Sequence, residues 1–165
     1  MALATIYLAG GCFWGTQKFL DQFKGVLETE CGYANGKSKN PTYQEVCAGS
    51  GHAETVKVVF DPEILSLKKL LDFYFLSINP TAINHQGGDF GIQYRTGIYY
   101  EDPTLKDPLS SFMNEKAGEI EEKGGKLAVE LKPLENYYSA EEYHQKYLDK
   151  NPGGYCHIRP ELLKL

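Results

Sequence analysis

Thr5-Ile6-Tyr7-Leu8-Ala9-Gly10-Gly11-Cys12-Phe13-Trp14-Gly15 carries the change from one backbone period to another. Ile6 to Ala9 are apolar at both parities, the pattern of a central strand covered on both faces. From about Trp14, Thr16, Phe19, Leu20 and Phe23 fall on one helical stripe, and Gly25 stands where such a helix stops. Cys12 therefore lies where a strand hands over to a helix, beside the unpaired N–H groups at the positive end of the helix dipole. That position favours thiolate over thiol, and the thiolate is the nucleophile. The flanking glycines permit a tight turn and leave the sulfur approachable, while Phe13 and Trp14 supply apolar walls. A buried structural cysteine is the competing reading.

Outward from this junction, Leu27, Thr29, Cys31 and Tyr33 alternate with Glu28 and Glu30 as a half-buried strand, which turns Cys31 inward. Gly32 to Gly51 reads as a long irregular loop, of the kind that is functional or disordered. A strand from about Ala53 to Phe60 follows. Leu67, Leu70, Leu71, Tyr74, Phe75 and Ile78 then mark a helix. A second long loop, Asn79 to Gln93, leads into a strand around Gly97 to Glu101. Strand-helix-strand repeated twice predicts an α/β (α+β) two-layer sandwich with a ferredoxin-like split βαβ core. Asp107-Pro108 opens a further helix that Gly124-Gly125 ends, and Leu127, Val129 and Leu131 read as a strand. Ser139 and Glu142 form the pattern of a capping box for a last helix from about Ala140 to Lys150. Asn151-Pro152-Gly153-Gly154 breaks it into a flexible tail bearing Cys156. No repeat or linker interrupts residues 1–165, which are expected to form one domain.

Composition removes several function classes. The 165 residues carry a net charge of −5 without a Lys/Arg cluster, which argues against nucleic acid and anionic membrane as partners. No apolar run approaches a bilayer span, and no basic, apolar leader opens the chain. The expectation is a cytoplasmic monomer. Cys12, Cys31, Cys47 and Cys156 are scattered, with no C-x-x-C pair. That spacing suits neither a zinc site nor a secreted disulfide scaffold, and in a reducing cytosol such thiols are catalytic, redox-active or buried. His52 and His157 lack metal-ligand spacing.

Glu54 shares a strand face with Val56, Val58 and Phe60, so partial desolvation is expected to raise its pKa and make it a usable acid. A strand-end Glu turned to solvent is the plainer reading. Tyr43, Asp89 and Tyr94 lie in or at the ends of the two long loops. A phenol can donate to an oxygen and wall a pocket; Asp89 between Gly88 and Phe90 reads as a turn residue. Arg95 suits a structural ion pair. His144 invites a Cys-His pair, but its helical neighbours make it a surface or packing histidine. His85 carries no spacing signal.

Gly11-Cys12-Phe13-Trp14-Gly15 resembles the signature of the A-class peptide methionine sulfoxide reductases. Gly32-Tyr33-Ala34, Pro41-Thr42-Tyr43, Gly51-His52-Ala53-Glu54, Gln93-Tyr94-Arg95 and Ala140-Glu141-Glu142-Tyr143-His144-Gln145 resemble that family's other blocks, in the family's order. The Cys47-to-Glu54 segment is one residue shorter than usual, and Asn35 stands where a glycine is common. The resemblance implies that Cys12 is the nucleophile and that Phe13 and Trp14 hold the substrate methyl group. It puts Glu54, Tyr43 and Tyr94 around the sulfoxide oxygen and gives Asp89 a supporting place. The implied reaction is repair of oxidised proteins: methionine S-sulfoxide, free or in proteins, is reduced with thioredoxin as reductant and no cofactor or metal.

That chemistry agrees with the residues. It needs a soft nucleophile at sulfur and a proton for an oxygen that must leave as water. Cys12 would become a sulfenic acid, which a second thiol converts to a disulfide. Cys156, on a tail softened by glycines, is the thiol expected to reach it, since Cys31 points inward and Cys47 belongs to the Tyr43 loop. Two other readings stand beside this one: a cysteine hydrolase using Cys12 with His144, and a tyrosine-lined peptide-binding module in which Cys12 only packs. The tail from Asn151 to Ile158 also resembles the junction in versions fused to a B-class reductase, leaving open whether the chain is a domain of a longer protein.

Overall fold

The computed structural model describes residues 3–165. β1 (Ala4–Gly10), α1 (Phe13–Asp21) and β2 (Val26–Ala34) form the first unit; a short α2 (Tyr43–Cys47) follows. The second unit is β3 (Ala53–Phe60), α3 (Leu67–Leu76), a small hairpin of β4 (His85–Gln86) and β5 (Asp89–Phe90), and then β6 (Thr96–Tyr100). α4 (Lys106–Glu122), β7 (Glu130–Pro133), β8 (Tyr137–Ser139) and α5 (Tyr147–Lys150) complete the chain. The sheet order is β7-β6-β1-β3-β2-β8. Its inner four strands pair antiparallel with one another, in the split βαβ order read from the sequence, and β7 adds in parallel to β6.

The period-two pattern decides the layers. Ile6, Leu8, Cys31, Tyr33, Val56, Val58 and Ile98 join Phe19, Leu20, Leu70, Leu71 and Tyr74 in one core under the helices. The opposite parity (Tyr7, Ala9, Ala34, Ala53, Tyr99) forms a smaller cluster covered by Leu134 and Tyr137. β1 is central and buried on both faces, as its apolar run requires. Leu8 is fully buried in the middle of that strand. Leu8→Ala is expected to cost about 2–5 kcal/mol, read as a lower urea midpoint at unchanged slope.

Several elements differ from the sequence expectation. Leu27 points to solvent because a bulge between Val26 and Glu28 shifts the register against β3. The first long loop contains α2, capped by Thr42: its hydroxyl accepts from Glu45 N, and the Glu45 carboxylate accepts from Thr42 N. The second contains the β4–β5 hairpin and a 3-10 turn, Ile92–Tyr94. The last helix over 140–150 does not form as one. Ser139 ends β8 and donates to Glu30, Glu142–His144 is a 3-10 turn, and Lys146 sits at φ 54 before the four-residue α5. What holds that path is Gln145, whose amide both accepts from Cys31 N and donates to Cys31 O. Asn35 has φ 54, a left-handed conformation that asparagine tolerates in place of glycine.

The tail read as flexible lies docked. Ile158 is buried, Leu162 and Leu163 rest on the core, and Gln22, just past the end of α1, donates to Leu162 O. Among the described residues, no helix is long and apolar enough to cross a membrane.

Candidate active site

β1 delivers Cys12 through Gly11, whose φ is +90. A Cβ there would lie 2.7 Å from Gln86 Cβ, so only glycine lets the hairpin and the Cys12 turn meet. Cys12 is the N-cap of α1 and is buried. The three backbone N–H groups after it divide between two acceptors. Phe13 N donates to Glu54 Oε1 at 3.1 Å, while those of Trp14 and Gly15 pull the Cys12 pKa down without forming a capping bond. The lowered thiol pKa expected from this position is nevertheless absent. Burial pushes the Cys12 thiol up, and the Glu54 and Asp89 charges add to it, outweighing the helix N-terminus. The dipole stabilises an anion by at most a couple of kcal/mol, less than desolvation of a buried sulfur costs.

Glu54 lies on β3 opposite Tyr33, on the helix-covered face, with 1% of its surface exposed. Burial pushes its carboxyl up to about 8, against the Phe13 N–H and with the Asp89 charge assisting. Oε2 is buried with no partner among the described residues. An acid that keeps its proton at neutral pH thus faces the turn that carries the thiol. The solvent-facing alternative for Glu54 does not hold.

Tyr43 and Tyr94 approach from the two loops. Burial is the largest cause raising both phenols, followed by the Glu54 charge; Tyr94 also feels Cys12 and Asp89. Tyr43 opens α2 and Tyr94 ends the 3-10 turn. Asp89 belongs to β5 and accepts from the Tyr155 hydroxyl at 3.0 Å, tying the hairpin to the tail. Cys12, Glu54, Tyr43, Tyr94 and Asp89, far apart in the chain, therefore share one electrostatic neighbourhood.

Phe13 is buried among Tyr33 and His144 at ring distances of 5.6 and 5.1 Å. Trp14 is partly exposed and stacks on Tyr147 at 3.8 Å. Of the two placements expected for His144, surface or packing, the second holds: it is fully buried and accepts from Trp14 Nε1 through Nδ1 at 2.9 Å. With that nitrogen used as an acceptor toward Trp14, it offers Cys12 no Cys-His pair of the hydrolase kind. Two residues not singled out as functional complete the surround. Glu141 accepts from the Tyr33 hydroxyl and from Tyr43 N, fixing the start of α2. His157 donates from Nε2 to Gly10 O at 2.8 Å. The Thr42-x-x-Glu45 capping box was the readable sign that the Tyr43 loop holds a helix; nothing local marks Glu141 or His157. Arg95 pairs with Glu130 at 3.1 Å, and His52 spans the first loop between Gly36 N and Ser38 O.

Cys31 is fully buried, its thiol directed at Gln17 Oε1 and Phe13 O. Cys47 is exposed on α2. Cys156 is half-buried against the first turn of α1, where a Cβ on Gly15 would lie 3.0 Å from its sulfur. An open cavity of about 430 Å³, lined in part by Lys18, Leu148, Pro152 and Ile158, reaches Cys156 from outside.

Residues 4–164 match the family model described as peptide methionine sulfoxide reductase. A protein named peptide methionine sulfoxide reductase MsrA from Lachnoclostridium phytofermentans is 54% identical over 155 residues, covering 93% of this chain and 92% of that one. The structure of methionine sulfoxide reductase A of Corynebacterium diphtheriae aligns with a TM-score of 0.88 at 37% identity, over 93% of this chain and 77% of that one. Mxr1 from Saccharomyces cerevisiae in reduced form aligns at 0.87 and 37% identity, over 95% of this chain and 91% of that one. The same yeast protein has been solved in complex with Trx2.

Proposed function

The chain belongs to the peptide methionine sulfoxide reductase family, and we propose that it reduces methionine S-sulfoxide, free or in proteins, through a sulfenic acid on Cys12. The observation that carries this assignment of roles is the buried, proton-holding Glu54 bonded to the backbone of the residue after Cys12. The Cys12 sulfur bonds to the sulfoxide sulfur as Glu54 gives its proton to the oxygen and takes up the proton that the Cys12 thiol sheds. Tyr43 and Tyr94 donate to that oxygen as charge grows on it. Phe13 and Trp14 wall the methyl group, a contact that discriminates by roughly 1–3 kcal/mol per methylene. Asp89 supports the site through Tyr155. The S–O bond to the methionine sulfur breaks as the hydroxyl passes to Cys12, so methionine leaves reduced and Cys12 is oxidised to a sulfenic acid.

Cys156 then attacks the Cys12 sulfur, forming a disulfide and expelling the oxygen as water. Thioredoxin opens that disulfide; the yeast relative solved with Trx2 supports this choice of reductant. The reading takes residues 1–165 as one monomeric reductase domain working in a reducing cytoplasm. It requires no cofactor. Mass spectrometry of reduced protein treated with one equivalent of a methyl sulfoxide and no external reductant is the test. A Cys12–Cys156 disulfide with loss of two thiols is expected, and a disulfide through Cys47 or Cys31 would reassign the second thiol. Acyl-enzyme turnover would point to a hydrolase instead, and no thiol loss to a binding module.

A further inference from the structure

We propose that His157 is the base that takes the Cys156 proton as the Cys12–Cys156 disulfide forms, an inference that rests on the two-thiol reading above. Its ring bridges the two partners. Nε2 lies 2.8 Å from Gly10 O, two residues before Cys12. A carbonyl only accepts, so the hydrogen of neutral His157 is on Nε2 and Nδ1 carries the lone pair. That Nδ1 is buried and has no hydrogen-bond partner among the described residues. A Cβ built on Gly15 would lie 3.0 Å from Cys156 Sγ and 3.1 Å from His157 Nδ1. The thiol and the free lone pair therefore flank one small space over the first turn of α1, which stays open because residue 15 has no side chain.

This arrangement meets a need that the first half of the reaction leaves unmet. Glu54 ends the first step holding the proton that Cys12 shed, so it is no base for the second, and burial pushes the Cys156 thiol up, against the Ile158 N–H. A thiol held protonated is a poor nucleophile. His157 Nδ1 accepts the Cys156 proton and the thiolate attacks Cys12. The S–S bond forms, the S–O bond breaks, and the departing hydroxide takes the proton from the imidazolium and leaves as water. Cys12 sulfur is reduced, Cys156 sulfur is oxidised, and His157 returns neutral. Throughout, its Nε2–H stays on Gly10, so the base is moored to the loop that carries the electrophile. The titratable groups set against the ring are Asp89 from β5 and Cys156 from its own segment. Burial lowers the His157 pKa, the largest cause, and keeps the ring neutral and basic at neutral pH, although Gly10 O and the Asp89 charge act the other way.

The test follows the second step alone. Reduced protein is mixed with one equivalent of methionine sulfoxide and no reductant; sulfenic acid is trapped with dimedone and the disulfide is quantified over time. The parent is expected to form the disulfide with little trapped adduct, at a rate that rises as His157 loses its proton. H157Q keeps an amide N–H near the Nε2 position but offers no base. Its disulfide formation is expected to fall by ~10²-fold, with adduct accumulating and the pH inflection gone. H157A is expected to be as slow and to recover in part with added imidazole. Parental rates and pH profiles in both variants would overturn the proposal. So would a parental rate in H157Q with an H157A that imidazole does not rescue, because His157 would then serve only as an anchor. A parent that forms neither adduct nor disulfide brings down the two-thiol reading and this one with it.

Discussion

Cys12→Ser is expected to lose sulfoxide reduction altogether, with either thioredoxin or dithiothreitol as reductant. A serine hydroxyl is a hard nucleophile that stays protonated at any working pH, and Cys12 is the thiol that caps α1 next to the Phe13 N–H held by Glu54. Cys31 is locked by Gln17 under the helix layer, and Cys156 lies a helical turn away. Cys156→Ser separates the two thiols: it should reduce about one equivalent of sulfoxide per chain, stall with thioredoxin, and turn over again with dithiothreitol, which reaches Cys12 directly. Methionine released per chain measures both. Appreciable turnover by Cys12→Ser would end the mechanism. The raised pKa adds a second expectation. Alkylation of Cys12 in the resting protein should accelerate with pH beyond the ordinary thiol value of about 8.5, without the acid-side plateau of an activated thiolate. The nucleophile is then made when substrate arrives.

Glu54→Gln keeps the shape of the side chain and its acceptor for Phe13 N but has no proton to give. The reduction step is expected to slow by ~10²–10⁴-fold in single turnover. In the parent that step should be flat below pH 8 and fall as pH rises through about 8, where Glu54 ionises; the variant should lack this limb. A variant matching the parent across neutral pH would move the proton source to Asp89 or a tyrosine. The same group leaves a mark on stability. Below the unfolded carboxyl's value of about 4.3 both states hold the proton. Between there and about 8 the unfolded chain releases it while the folded protein keeps it, so folding grows less favourable with rising pH. Each unit of that gap is worth about 1.4 kcal/mol. The Tm of Glu54→Gln relative to the parent should therefore climb with pH over this window, the histidines common to both cancelling in the difference.

The strands and long helices were legible because their periods are long enough to outvote local accidents. β3 follows the predicted Ala53–Phe60 span, and the alternation that puts Glu54 with Val56 and Val58 also buries it. Shorter features escaped. α2 has five residues, too few for a 3.6-residue stripe to declare itself, and only its capping box could have betrayed it. Ser139 and Glu142 carried a capping pattern that long-range partners override: Glu30 takes the Ser139 hydroxyl, and Gln145 spends its amide on Cys31. The Cys12 pKa went astray for a related reason. A helix N-terminus can be read from sequence, but burial and a neighbouring carboxyl come from other strands, and here they are larger. The side chains of His144 and His157 are held by hydrogen bonds to residues more than a hundred positions away in the chain.

Trp14 is the only tryptophan in the chain, and its ring is clamped between the start of α1 and the segment that carries His144 and Tyr147. The protein consequently has a built-in optical gauge of its own site. Indole emission depends on the polarity around the ring and on stacked quenchers, and no second fluorophore of its kind blurs the signal. Any loosening of the C-terminal segment from α1 as Cys156 moves to Cys12 would unstack Tyr147 and shift that emission, so the reduced and disulfide forms should be separable by spectrum alone, without a label or a coupled assay.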